Sequence, residues 1–337
     1  MHGLGAAYLT VGILRAKRYV GLTTTLVYSS DVHGSEQVWL KFLACARRYD
    51  ADILLMNGDL TGKVMVPIAK MPDGTWKTPS ILGKEWVLKS ENEVRSIEEH
   101  VRLAGMYPLL TDYEQVMELV KDEKRWKQIF REAMVAGIQR WIKLVEEKVD
   151  PSVKVIVTPG NDDIFEVDEP LKASHRIVYA LGKIVQLSDV HEMISYEWTN
   201  PTPWNSPREK REEELEKDLV QLFEQVAERR NLVCNFHCPP YDSTIDAAPK
   251  LDKNLKPILH GGHPVMIPAG SKAIRNVIEK YQPLLGVHGH IHESSGEIRI
   301  GRTLCINSGS EYAEGILRAY IIKLTPDGIE NYWRIHG

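Results

Sequence analysis

TTTLVYSSDVHG, residues 23–34, joins an apolar, β-branched run to a polar cluster. The run Thr23 to Ser30 reads as a buried strand. It ends in Asp31-Val32-His33-Gly34, and Ser35 then has the character of a helix N-cap. The helix it opens runs to about Tyr49, with Trp39, Leu40, Phe42 and Leu43 on its apolar face. Asp52 to Met56 is a second short strand, ending in Asn57-Gly58-Asp59. A strand, a helix and a strand in this order predict a parallel pair joined by a crossover.

The same pattern recurs downstream. Val153 to Thr158 ends in Pro159-Gly160-Asn161-Asp162-Asp163, Leu232 to Phe236 ends in His237, and Pro283 to Val287 ends in His288-Gly289-His290-Ile291-His292. Each polar cluster follows the C-terminal end of an apolar strand, where open α/β sheets place their sites. After His292 the runs 297–300, 303–307, 317–324 and 329–335 alternate and are separated by turn residues, which predicts an antiparallel finish. The expected fold class is α/β, a two-sheet β-sandwich flanked by helices and carrying helical insertions.

The bulk properties fit this. In 337 residues, 43% are hydrophobic and 26% charged, so a core can form without staples. A net charge of −4 provides no global positive field, which argues against nucleic acid as a partner, although a local basic groove stays compatible with it. Cys45, Cys234, Cys238 and Cys305 match no zinc-ribbon spacing and read as buried thiols of a cytoplasmic protein. The apolar segment before Arg15 has its positive charges on the wrong side for a signal peptide and is too short to span a bilayer. Residues 1–22 are therefore expected to form an extension or an extra edge strand, and 23–337 a single domain.

About a hundred residues separate Asp59 from Asn161, far more than a crossover needs. Helix-period apolar residues over 91–103, 112–120 and 122–148 predict a helical cap inserted at about 63–150, with 71–80 as a loop. A second insertion is expected at about 166–230, with an irregular 198–207 stretch and a charged helix from Arg208 to Arg229 whose faces are solvated.

The seven polar residues Asp31, His33, Asp59, Asn161, His237, His290 and His292 supply hard oxygens, imidazoles and a carboxylate able to bridge. That is the inventory a dinuclear metal centre wants. Asp31 and His33 are two apart, as are His290 and His292, so a tight turn past each strand can aim both at one ion, and Gly289 lets the backbone turn closely.

The ordered set SSDVHG, MNGDL, TPGNDD, NFHCPP and VHGHIHES, followed by INSGS at 306–310, resembles the motifs of the calcineurin-like metallophosphoesterases over about residues 24 to 324. The resemblance implies one metal on Asp31, His33 and His292, a second on Asn161, His237 and His290, and Asp59 bridging them. It implies manganese, iron or zinc as divalent or trivalent cofactors, and a metal-bridging hydroxide that attacks a phosphoester.

One position departs from the resemblance. Where many such proteins carry a leaving-group histidine after Gly-Asn, this chain has Asp162, and Asp163 matches the acidic residue that follows. Asp162 is then a candidate for organising water or substrate, and His263 or His260 for donating the proton. The departure favours a phosphodiesterase over a general phosphatase; a catalytically weak scaffold and a metal-dependent nuclease are the alternatives. The expected partner is a small phosphoester, nucleotide-like among the candidates, with no membrane. Trp198, Trp204 and Tyr241 are candidates for stacking on a base. His260 to Ser271 precedes a helix whose N-terminus favours an anion, and Arg275 lies one turn into it. Asp189-Val190-His191 and His288 read as structural.

Overall fold

The computed structural model describes residues 23–81 and 83–337; the expectation for residues 1–22 lies outside them. Two six-stranded sheets form the centre. In the first, the order is 328–336, 318–325, 24–30, 53–57, 154–158, 177–179; in the second it is 296–300, 303–307, 285–288, 232–236, 192–196, 185–186. In the first, 24–30, 53–57, 154–158 and the edge strand 177–179 run parallel, and 318–325 joins 24–30 and 328–336 antiparallel. In the second, the four inner strands run parallel and both edge strands pair antiparallel. The two-sheet sandwich with flanking helices is the fold expected of the sequence.

Alternation along the strands divides the apolar side chains. Leu26, Tyr28, Ile53, Leu55 and Ile156 point one way and pack against Met193, Val233, Leu285, Leu304 and Ile306, filling the space between the sheets. Val27, Leu54, Val155 and Val157 point the other way, against Trp39, Phe42 and Leu43 of the helix Glu36–Arg48. On the outer face of the second sheet, Leu215, Leu219 and Phe223 of Glu212–Glu224 join Ile274, Val277 and Ile278 of Lys272–Tyr281. Strands buried on both faces have to be continuous apolar runs, which is what 24–30, 53–57 and 232–236 are.

Four expectations change. Thr303–Asn307 pairs antiparallel with Gly296–Ile300, as expected, but also parallel with Leu285–His288, so one strand of the finish belongs to the parallel part of its sheet as well. The stretch 63–150 carries a four-stranded sheet (Met65–Lys70, Trp76–Lys77, Val87–Leu88 and Tyr107–Asp112) packed on the helix Glu91–Leu103, so Met71 to Ser80 is not all loop. Its last helix, Glu123–Lys148, belongs to the main core: Ile138, Trp141 and Val145 are buried there, Trp141 stacks on Trp39 at 4.7 Å, and Arg140 forks onto Glu36 at 2.6 and 2.8 Å. The stretch 166–230 is likewise part of the sandwich, since Ile177–Tyr179, Val185–Gln186 and Glu192–Tyr196 are sheet strands. The charged helix within it is shorter than expected, Glu212–Glu224, and Arg208 lies outside it and is buried.

Candidate metal centre

Every inner parallel strand that bears a ligand motif ends at the same edge of the sandwich. Past that edge the loops are tied to one another by backbone hydrogen bonds. Asp31 N–H donates to Gly58 C=O at 3.1 Å, His33 N–H to Asp59 C=O at 2.9 Å, Gly58 N–H to Thr158 C=O at 2.9 Å, and Gly289 N–H to His237 C=O at 2.8 Å. Four of the seven predicted ligands, Asp31, His33, Asp59 and His290, have positive φ, at 55°, 37°, 50° and 67°. Left-handed backbone at Asp and His costs free energy that surrounding structure has to offset, and such positions concentrate at functional sites.

The side chains converge. Asp31, His33, Asp59 and His292 present donor atoms within 4.8 Å of one another, as do Asp59, His237 and His290, so Asp59 is common to both groups. Asn161 completes the second, with Oδ1 3.1 Å from His237 Nε2. Within the first group, His33 Nε2 lies 3.1 Å from His292 Nε2 and 3.5 Å from Asp59 Oδ2; within the second, His237 Nε2 lies 3.3 Å from Asp59 Oδ1; between them, His237 Nε2 lies 3.9 Å from Asp31 Oδ1. Outer contacts fix the orientation. His237 Nδ1 faces Asn57 C=O at 3.1 Å, which directs Nε2 inward, and Asn161 Nδ2 donates to Ser206 Oγ at 2.7 Å.

Asp163 braces the loops rather than joining the donors. Its carboxylate accepts from Leu60 N–H at 3.0 Å, Thr61 N–H at 2.8 Å, Thr61 Oγ1 at 2.7 Å and Gly160 N–H at 2.8 Å. Gly289 is needed for clearance. A Cβ there would stand 2.5 Å from Asp31 Oδ2 and 2.6 Å from Ser30 Oγ, and the next residue's N–H donates to the Asp31 carboxylate at 3.0 and 3.1 Å. Gly289→Ala is therefore expected to push Asp31 off its position and weaken Mn²⁺ binding about 10–100-fold, the scale of lost outer-shell support. Titration followed by calorimetry measures it; wild-type affinity would show that the loop absorbs the methyl.

The charge balance tests whether cations fit. Asp31 and Asp59 are 0% and 2% exposed. Burial raises their pKa, but neighbouring imidazoles outweigh it and hold both below the usual range, His292 acting most on Asp31 and His237 on Asp59. Burial drives His33 down to about 3 and His290 down to about 4. Burial also opposes charge on His237, yet Asp59 beside it lifts it to about 9. Imidazoles crowded nitrogen to nitrogen around two buried carboxylates form a donor set in want of positive charge, and Asp/His/Asn ligation suits manganese, iron and zinc alike.

Asp162 stands at the rim. Its N–H donates to Asp59 Oδ1 at 3.0 Å, and its carboxylate pairs with Lys63 Nζ at 2.5 Å. Burial, then Asp59, push its pKa up to about 6 while Lys63 pulls against them. Lys63 and Tyr312 are the residues that sequence reasoning missed. Tyr312 packs its ring 4.7 Å from that of His33 and 5.8 Å from that of His292. Lys63 follows Asp59-Leu60-Thr61-Gly62 and was legible only as a charge near a motif; no signal marked Tyr312.

Other expected contributors lie elsewhere. His260 and His263 face each other across Gly261-Gly262 in an exposed hairpin, and neither lines the cavity over the donors, so the expected proton donor is not at the site. Arg275 is spent on Glu279 at 2.8 Å and on the Tyr241 and Asp242 carbonyls at 3.0 and 2.7 Å. The helix N-terminus after Ser271 already holds an anion: Glu212 accepts from Ser271 Oγ at 2.7 Å and from the N–H groups of Lys272 and Ala273 at 3.0 and 2.8 Å. Trp198 packs under Lys210, Tyr241 lies under Lys272, and of the three candidate stacking aromatics Trp204 alone lines the cavity. His191 bonds Ser188 at 2.8 Å, and His288 packs against the carbonyls of Phe236 and Cys238, both away from the donors as expected. All four cysteines are buried free thiols. Among the described residues no helix is long and apolar enough to cross a membrane.

No family model matches the chain. The uncharacterized protein MJ1162 of Methanocaldococcus jannaschii is 29% identical over 170 residues, 49% of this chain and 69% of that protein. One solved crystal structure superposes with a TM-score of 0.54 at 15% identity, covering 93% of this chain and 99% of the other. A dimetal phosphatase from Danio rerio superposes with a TM-score of 0.42 at 11% identity, covering 93% and 98%. Two stacked six-stranded sheets, ligand loops gathered at one edge and a carboxylate shared between two donor groups give this chain the calcineurin-like metallophosphoesterase fold.

Proposed function

We propose that the chain is a metal-dependent phosphoester hydrolase, and specifically a phosphodiesterase. The observation that carries this is the position of Asp59, common to both donor groups on the floor of a cavity of about 980 Å³. Two cations held there would stabilise charge on a phosphoryl group and lower the pKa of water to near neutrality. Asp31, His33 and His292 would hold one, Asn161, His237 and His290 the other, and Asp59 would serve both. Tyr312 walls off the His33 and His292 rings.

Lys63 and Asp162 act as a unit at the rim. The ammonium offers a charged donor to a phosphoryl or leaving oxygen, and Asp162, anchored through its own N–H to Asp59, aims that ammonium into the cavity. His263 is exposed and outside the cavity, so we assign the leaving oxygen to this pair, which lines the cavity beside Asp59. A diester, whose leaving group need not be drawn from a dianion, suits a site without a rim histidine.

The test is turnover of bis(p-nitrophenyl) phosphate against p-nitrophenyl phosphate with Mn²⁺ added, alongside metal analysis. Faster diester turnover is expected; two bound metals with no turnover of either ester would sink the reading. Lys63→Met should lower kcat/KM for the diester about 10²-fold at unchanged metal content. A loss below threefold would remove Lys63 from the site's chemistry.

A further inference from the structure

Beyond the metal donors the cavity changes character. Its walls come from three separate places: Phe130 and Met134 of the helix Glu123–Lys148, Pro203 and Trp204 of the irregular loop, and Leu255 and Ile267 of the arm that follows the strand Leu232–Phe236. Trp204 is 64% exposed, and Leu255 and Ile267 also stand open to solvent. Apolar side chains meeting in one open cavity are a surface that wants covering.

Most polar side chains in the walls beyond the metal donors are already committed, the Tyr312 hydroxyl beside the donors excepted. Asn200 donates to Ala269 C=O at 3.3 Å and accepts from the Cys238 thiol at 3.2 Å. Thr202 Oγ1 donates to Glu209 at 2.5 Å. Lys63 is paired with Asp162. Among the described residues that leaves Lys250 and Glu293, both exposed, as wall side chains whose charged ends have no protein partner. A nucleoside or sugar brought into such walls would lose water from its hydrogen-bonding edges and recover little. A hydrocarbon chain would lose nothing.

We propose that the phosphoester cleaved here carries an apolar alkyl chain, with the phosphate at the metal donors and the chain lying along Phe130, Met134, Leu255 and Ile267. This rests on the hydrolase reading above and names its substrate class. The arm supports it. Ile258, Leu259 and Met266 are further exposed apolar side chains on the same arm.

The experiment uses the full chain loaded with Mn²⁺ and p-nitrophenyl alkyl phosphodiesters with methyl, butyl and octyl chains, each below its aggregation concentration. Thymidine 5′-p-nitrophenyl phosphate is the nucleoside arm. We expect kcat/KM to rise at least about tenfold from methyl to octyl, since several buried methylenes each contribute, and the thymidine ester to do no better than the methyl one. Calorimetry with octyl phosphate, which needs no turnover, should show tighter binding and a more negative heat-capacity change than methyl phosphate. Trp204→Ser combined with Ile267→Ser, both at exposed positions, should cut the octyl-to-methyl ratio to within threefold. Turnover independent of chain length, or a preference for thymidine, would overturn the alkyl chain and leave the hydrolase standing. No turnover of any ester with two metals bound would overturn the hydrolase; equal binding of octyl and methyl phosphate would then overturn the chain as well.

Discussion

Asp59→Asn is expected to abolish two-metal binding and to lower diester turnover by at least about 10³-fold. The substitution keeps the size of the side chain and an oxygen able to accept from Asp162 N–H, now at 3.0 Å. It removes the one carboxylate that both donor groups share. An amide oxygen faces a single cation adequately but does not neutralise two, and several kilocalories of charge stabilisation correspond to a thousandfold in rate. The fold should survive, because His237, whose pKa Asp59 lifts to about 9, sheds its proton at neutral pH once that carboxylate is gone, so no buried charge is left unpaired there. The melting temperature of chelator-treated variant and wild type should therefore lie close together, while the rise on adding Mn²⁺, present in wild type by mass action, is lost in the variant. Two metals per chain with turnover within tenfold of wild type would show that Asp59 does not bridge.

The ligand set was legible for a physical reason. A parallel strand buried on both faces must be a continuous apolar run, and polar residues with glycine immediately after it have to be at its exposed end. Asp31, Asp59, Asn161 and His290 meet that condition, His237 follows its strand without a glycine, and the sandwich gathers all five. The inner layer of the sheets was legible for the same reason. The strands of residues 65–112 were not, because they are two to six residues long, with Pro67 and Pro108 inside two of them. Glu192–Tyr196 hid because five apolar-leaning residues fit a helix segment as well as a strand. Lys63 and Tyr312 reach the donors only through tertiary packing. The glycine-rich stretch at 260–271 carried a true signal, a helix N-terminus prepared for an anion, but the anion proved to be Glu212, sixty positions away.

Arg208 shows the same limit most sharply and yields the largest expected loss of stability. In the sequence it opens a charged run and reads as part of a solvated helix face. In the structure it is 1% exposed. Its guanidinium donates to Asp168 at 2.7 and 3.4 Å, to Asp163 C=O at 3.0 Å and to Ile164 C=O at 3.2 Å, lies 3.7 Å from Glu197, and sits over the Phe165 ring at 4.6 Å. Its own N–H donates to Asn161 C=O at 3.1 Å. One side chain thus fastens residues 161–168, the loop that supplies Asn161 and the Asp163 brace. Arg208→Met keeps the length and removes the charge, leaving Asp168 and Glu197 facing each other's vicinity without their cation. Breaking a buried pair from one side costs roughly 3–5 kcal/mol, which urea unfolding at an unchanged slope should read directly. Adding Asp168→Asn should recover part of that loss, since it removes one orphaned charge. Arg208→Lys should fall between, because an ammonium restores the charge but not the fork that serves a carboxylate and two carbonyls together. With the loop loosened, Mn²⁺ affinity should also drop about 10–100-fold, although Arg208 touches no metal donor side chain. A stability loss under about 1 kcal/mol for Arg208→Met, the median worth of an exposed pair, would mean that the loop is held by its backbone alone.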